Sequence, residues 1–227
     1  MSFRASIRRA LSAPLGGSLA SRFGAAAVTA ILTEGGDGAR DAIALAELAD
    51  ALTRAGVPRG RQFVLLTGAG AASPDARARA HEMRDVLGLV VLVHDPARSA
   101  FHAGRLGNGV PVEVDDELRE AEAVVIAGRH ATGADGRVHG GAAALLPGAA
   151  SAAARAAFEA ALGDAGAGAR ADAALALSLE ALGLVPADFA LAWSADDPPR
   201  VLAGDARTVE AAARRDGWLG PRGVGGA

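Results

Sequence analysis

Apolar positions along the chain fall into two patterns, short unbroken runs and helically spaced sets, separated by glycine, proline and aspartate. Residues 25–32 (AAAVTAIL) form an apolar run that ends at Glu34-Gly35-Gly36-Asp37-Gly38, which predicts a buried strand leaving into a turn. Ile43, Leu45, Leu48 and Leu52 recur at helical spacing through residues 41–55, and the pattern stops at Gly56 before Pro58. Residues 63–66 predict a second strand that enters Thr67-Gly68. Ser73-Pro74-Asp75 then opens a helix ending near Gly88, and residues 89–93 (LVVLV) predict a third strand that closes on His94-Asp95-Pro96.

After a loop holding Gly104, Gly107 and Gly109, residues 110–114 predict an edge strand and residues 115–121 a short helix. Residues 123–127 (AVVIA) form a further buried run ended by Gly128. A glycine-rich stretch spans 133–141, and an alanine-rich helix is expected over 151–162. Strands alternating with helices in this way predict an α/β fold, a mostly parallel sheet with helices on both faces. Residues 161–170 turn Gly/Ala-rich, so a first domain is placed at 1–165. A partial second α/β unit is placed at 166–219, with a helix at 172–182, strands at 188–194 and 200–203, and a helix at 205–215. Residues 220–227 are expected to be a flexible tail.

Composition narrows the function classes. Half of the residues (51%) are apolar, enough for a sizeable core, and the net charge of −3 comes with no basic stripe interleaved with aromatics, which argues against nucleic acid. No run of about 18 apolar residues predicts a membrane span. Residues 1–22 carry Arg4, Arg8 and Arg9, but Pro14 and Gly16-Gly17 break the pattern a signal peptide needs, so a cytoplasmic location is expected. The chain has no cysteine, no tyrosine and no lysine. That removes disulfides, thiolate ligands, phenolic acids and amine nucleophiles, and leaves arginine as the cation other than histidine.

Residues 140–151 (GGAAALLPGAAS) resemble the GG-x-K-x-ILPG-x-x-S segment of the nickel-pincer lactate racemase family. Upstream, residues 106–114 (LGNGVPVEV) and 120–128 (EAEAVVIAG) resemble that family's "LG-x-x-x-G-x-P-V-x-V" and "EAD-x-V-I-x-x-G" stretches. Thr67-Gly68 resembles its "TG-x-H" loop, residues 37–40 (DGAR) its "D-x-x-R" motif, and His94-Asp95 a pair the family often carries. Residues 10–16, 188–191 and 203–205 add to the resemblance, in order from near residue 7 to about residue 211. It implies the family's Rossmann-like N-terminal domain, with most of the second domain missing after it.

By the same resemblance, the implied chemistry is hydride abstraction from a 2-hydroxy acid by a nickel-pincer nucleotide, with a lysine tether, catalytic histidines and a histidine ligand to nickel. Carried over residue by residue, the "TG-x-H" histidine falls on Gly70, the tether on Ala143, the second histidine on Gly133, and the nickel ligand on or near Glu159. Only Asp37 and Arg40 match. The expectation is therefore an isomerase-family protein without pincer activity and without a bound cofactor.

What remains points to small-anion binding, of a hydroxy acid or a nucleotide phosphate. The candidate set is Asp37, Arg40, Thr67, Gly68, Gly70, His94, Gly140 and Gly141. Arg40 suits a bidentate anion contact oriented by Asp37, and the Thr67 turn offers backbone N–H groups between a strand and a helix. A solvated Asp37–Arg40 pair and a structural His94 are the competing readings. His130 and His139 flank the glycine-rich stretch, but no H-x-x-x-H or H-x-H spacing supports a displaced metal site, and none is expected. The alternative function is a non-catalytic binding or regulatory subunit. Apolar surface left open by a missing domain would then predict a homo-oligomer or a partner chain.

Overall fold

The apolar runs assemble into one sheet. The computed structural model describes residues 1–23, 28–98, 100–185 and 187–218. In chain order the elements are α1 (Phe3–Ser12), α2 (Leu19–Phe23), β1 (Thr29–Thr33), α3 (Ala39–Arg54), β2 (Gln62–Leu66), α4 (Gly68–Ala72), α5 (Ala76–Leu87), β3 (Val90–Val93), β4 (Ala100–Arg105), β5 (Pro111–Asp115), β6 (Ala123–Thr132), β7 (Val138–His139), α6 (Ala152–Leu162), α7 (Ala167–Ala181), β8 (Ala187–Ser194), β9 (Val201–Asp205) and α8 (Ala206–Arg215). Residues 25–27 of the first expected strand and the expected tail at 220–227 lie outside the described residues.

The sheet runs β3-β2-β1-β6-β8-β9, parallel except for the last pair, and β7 folds back antiparallel on β6. Alternate residues of the central strands enter opposite layers, as a sheet covered on both faces requires. Ala30, Leu32, Val124 and Ile126 pack with α6 and α7 in one apolar cluster. Ile31, Val64, Val125 and Leu191 pack with α3 and α5 in the other. The expected α/β architecture with a mostly parallel sheet is what the chain adopts. No helix among the described residues is long and apolar enough to cross a membrane.

Three sequence expectations change. The stretch expected as a second unit supplies strands to the first unit's sheet, since β8 pairs with β6 from Val124↔Ala187 to His130↔Ser194. The Gly/Ala-rich residues 161–170 are a helix-to-helix connection, and α7 begins within them. Residues 100–105, read as loop, form β4, which pairs with β5 in a separate antiparallel hairpin; the strand expected at 110–114 is therefore not at the edge of the main sheet. The strand before His94 forms an edge of the main sheet. The start of the chain, left unassigned, is α1, capped by the Ser2 hydroxyl and tied by Arg4 and Arg8 to the buried Glu47 of α3.

A buried acid–base pair locks the last helix to the middle of the sheet. Glu210 of α8 lies 3.1 Å from the His130 ring through Oε1, and the same oxygen accepts the Ala142 N–H at 2.7 Å. Burial disfavours the charge on His130, but the Glu210 charge and hydrogen bond, with the Gly128 carbonyl, outweigh it and hold the imidazole above its ordinary 6.5. Gly141 is required beside this pair, because its φ is +53° and a Cβ there would fall 1.7 Å from Glu210 Oε1.

Two stability predictions follow from these buried carboxylates. Glu210→Ala strands a buried imidazole and the Ala142 N–H, and urea unfolding is expected to show a loss of about 3–5 kcal/mol. Because the folded His130 value is raised, its contribution is complete below pH 6.5 and lost as pH rises through the folded value. The variant should lose that dependence. Burial, opposed by the Asp37 N–H, pushes the Asp41 carboxyl from 3.8 up to about 6, so stability falls as pH rises through that window and stays lower above it. Asp41→Asn keeps an acceptor for Asp37, and is expected to raise stability at neutral pH by up to about 2 kcal/mol and flatten the profile in acid.

Candidate functional site

The first and fourth strands of the parallel run, β1 and β6, are neighbours, and the chain leaves them in opposite directions along the sheet. Beyond the carboxyl ends of such strands an open α/β sheet leaves a crevice. Glu34 directly follows β1. β6 overruns the sheet to Thr132 and returns as β7, which carries His139 to within 3.3 Å of Glu34 through Nδ1 and Oε2. The half-exposed His139 is raised above 6.5 by the Glu34 hydrogen bond first; burial opposes that effect and the Glu34 charge adds to it.

These two residues open onto a cleft of about 330 Å³. Its floor is Gly68, whose φ is +54° and whose N–H donates to the Gly148 carbonyl at 3.0 Å; a Cβ there would meet Glu34 Oε1 at 2.9 Å. One wall is Ala143 and the Pro147-Gly148 turn. Ser178 holds the Leu146 carbonyl at 2.6 Å, and Arg155 donates to the carbonyls of Pro147, at 3.0 Å, and of Gly148. Burial pulls the Arg155 guanidinium below its ordinary value, yet an arginine stays charged. Phe158 and Leu162 of α6 make the apolar side, and the Glu159–Arg170 ion pair with Arg137 forms the rim.

The sequence-derived candidates fall in three places. Asp37 and Arg40 come together, but away from the cleft. Asp37 accepts the Trp193 indole N–H at 2.9 Å, and Arg40 lies 3.3 Å from Asp197 with its guanidinium 6.0 Å from the Phe3 ring. Thr67 is buried, with its N–H and hydroxyl on the Thr33 carbonyl. Of that turn, Gly68 lines the cleft, while Gly70 packs so closely that a Cβ would fall 1.8 Å from the Glu34 carbonyl oxygen. Gly140 packs similarly over Arg129, and Gly141 packs over Glu210 and His130.

His94 is buried between Asp115, 2.6 Å from Nδ1, and the Ala150 carbonyl, 2.9 Å from Nε2, so both nitrogens are engaged in bracing β3 against β5. Glu34, Arg155 and Arg170 carried no motif in the sequence, and their one local signal was the acid directly after a buried strand. Among the described residues, no three His, Asp or Glu side chains gather as a metal site.

No protein-family model matches the chain, and no curated protein matches it in sequence. Among solved structures it superposes on the lactate racemase apoprotein from Thermoanaerobacterium thermosaccharolyticum with a TM-score of 0.80 at 18% identity, covering 95% of this chain. The chain has a lactate-racemase-like fold. It spans 55% of that protein's length. A protein from Thermotoga maritima is also similar, with a TM-score of 0.63, 14% identity, and 96% of this chain covered against 60% of that one. At these identities the likeness is one of fold.

Of the positions singled out by the sequence resemblance, two reach the cleft and Gly70 does not line it. Ala143 and Glu159 line it, and a Cβ at Gly133 would stand 3.7 Å from His139 Nε2. Glu34→Gln is expected to lower the His139 pKa towards 6.5, read by ring-proton NMR titration, because the carboxylate that raises it is gone. An unchanged titration would mean that Glu34 and His139 do not meet in solution.

Proposed function

We propose that this is a lactate-racemase-like protein without nickel-pincer activity, whose cleft binds a small anion, a 2-hydroxy acid or a nucleotide phosphate. The observation that carries the reading is the gathering of Arg155, His139 and Glu34 on one cleft at the switch point of the sheet. Arg155 is fixed by two carbonyls through Nε and one terminal nitrogen, which leaves its other terminal nitrogen to pair with an oxyanion. The raised pKa of His139 favours its charged, donating form near neutrality, and Glu34 sets the ring's orientation.

A pincer nucleotide does not fit these residues. Ala143 has no group to form the tether and the chain has no lysine; Glu159 is held by Arg170; position 70 has no room for a side chain. No step is therefore routed through that group. A second reading, a binding subunit that works with another chain, is supported by one feature, the outer edge of β3, with which no strand pairs among the described residues.

Elemental analysis of protein co-produced with the cofactor-assembly enzymes is expected to find nickel far below one per chain. The melting temperature should rise with millimolar lactate, inorganic phosphate or adenosine monophosphate, and the rise should disappear in His139→Ala. Stoichiometric nickel accompanied by lactate racemisation would overturn the loss of pincer activity. No melting shift with any of the three anions would overturn the anion site.

A further inference from the structure

The two edges of the sheet are finished differently. Beyond β9 the edge is closed by the chain itself, because Leu15 donates to the Ala203 carbonyl at 2.8 Å and accepts the Asp205 N–H at 2.8 Å. Beyond β3, among the described residues, no strand pairs. The His94 N–H bonds back to Leu66 of β2, so by the alternation of a strand Leu92 also faces β2, while Val91 and Val93 direct their N–H and C=O groups outward. A row of open backbone groups of this kind is a template for another strand.

Beside that edge runs an open groove of about 740 Å³ between β3 and α5. Val91, Leu92 and Val93 are half-buried along it, and Val90 is 57% exposed. Arg77, His81 and Arg84 occupy one stripe of α5 at i, i+4 and i+7, and Arg98 stands at the far end. Among the described residues, Arg77 and Arg98 have no carboxylate partner, and Arg84 meets only the neighbouring Asp85 at 3.6 Å. Among the described residues, the one acid lining the groove, Asp95, accepts the Ala97 N–H. On a chain of net charge −3, this is a concentration of unneutralised cations beside open strand hydrogen-bonding groups.

We propose that the outer edge of β3 docks an extended acidic segment of a partner protein, which adds a strand to the sheet and places its carboxylates against Arg77, Arg84 and Arg98. The backbone groups of Val91 and Val93 supply strand pairing and the arginines supply sequence preference, the division of labour found in strand addition. A second copy suits the groove less well. Pairing two β3 edges about an axis perpendicular to the sheet sets the Arg77–Arg84 stripe of one α5 against the same stripe of the other. A nucleic acid would leave the outward backbone groups unused, and among the described residues no Phe, Tyr or Trp lines the groove for base stacking.

The probe is a fluorescein-labelled peptide alternating glutamate and valine, compared with its glutamine-for-glutamate counterpart by anisotropy at low salt. The glutamate peptide is expected to bind about tenfold more tightly or better, and to weaken about tenfold in the double variant Arg77→Glu, Arg84→Glu and as salt is raised. Val91→Pro removes an outward N–H and leaves the bonds to β2, so it should also weaken binding while the melting temperature holds. Should that variant fail to fold, amide shifts in the unsubstituted protein decide: shifts clustered at Val91, Val93 and residues 77–84 support the proposal, and shifts elsewhere overturn it. Equal affinity for the two peptides, no binding at millimolar peptide, or binding by a folded Val91→Pro at full strength would each overturn it. A peptide-independent dimer abolished by Val91→Pro would assign the edge to a second copy and overturn it as well.

Discussion

A single carboxylate oxygen ties α8 to the middle of the sheet. Glu210 Oε1 receives both the His130 ring and the Ala142 N–H, so α8, the overrun end of β6 and the start of the 140–148 segment meet at one buried point. Burying a charge in this way is tolerated only where a partner charge and further hydrogen bonds surround it. The other carboxylate oxygen, Oε2, has no partner among the described residues, so the arrangement depends heavily on its first oxygen. From that anchor the chain turns through Ala143 and the Pro147-Gly148 turn, which form a wall of the cleft. The cleft therefore takes its shape from a pair that lies behind it.

Close backbone approach is the second constraint, and it explains why three of the glycines suggested by sequence are packing sites. Gly70, Gly140 and Gly141 each lie where a Cβ would come within 2.2 Å or less of a neighbouring oxygen. At position 70 the consequence is chemical. The Glu34 carbonyl occupies the space from which a side chain would have to project, so a catalytic group at that position would require the Thr67 turn to move away from β1. The same approach brings Glu34 against Gly68 and so places its carboxylate at the mouth of the cleft, in reach of His139.

Legibility in the sequence followed burial. The strands β1, β2, β6 and β8 were readable because both faces are covered and their apolar runs are nearly continuous; α3, α6 and α8 were readable from helical spacing. The helix α1 was not, since only Ile7 of its residues is buried and arginines dominate the rest. Nor was β4, whose AFHAGR pattern has no buried position and holds a glycine. The length of β6 was underestimated because Gly128, Arg129 and His130 end the apolar run while the ladder to β8 continues. The cleft was the least legible part. Its defining pairs, Glu34 with His139 and His130 with Glu210, are 105 and 80 residues apart, so no local spacing exposes them.

The absence of lysine gives the electrostatics a common logic. A guanidinium carries several donors in a fixed plane, so it can clamp carbonyls and still present charge, which a single ammonium does less well. Arg155 clamps the Pro147 and Gly148 carbonyls, Arg59 the Leu87 carbonyl, Arg79 the Gly35 carbonyl and Arg22 the Gly16 carbonyl. These arginines hold loops and helix ends that few apolar contacts could fix. Arg77 and Arg98 clamp nothing among the described residues, although they come from the same pool of cations and lie on one groove. What distinguishes these two guanidinium groups is their place, beside the open strand groups of β3, where the charge they carry is available to the acidic strand proposed for that edge.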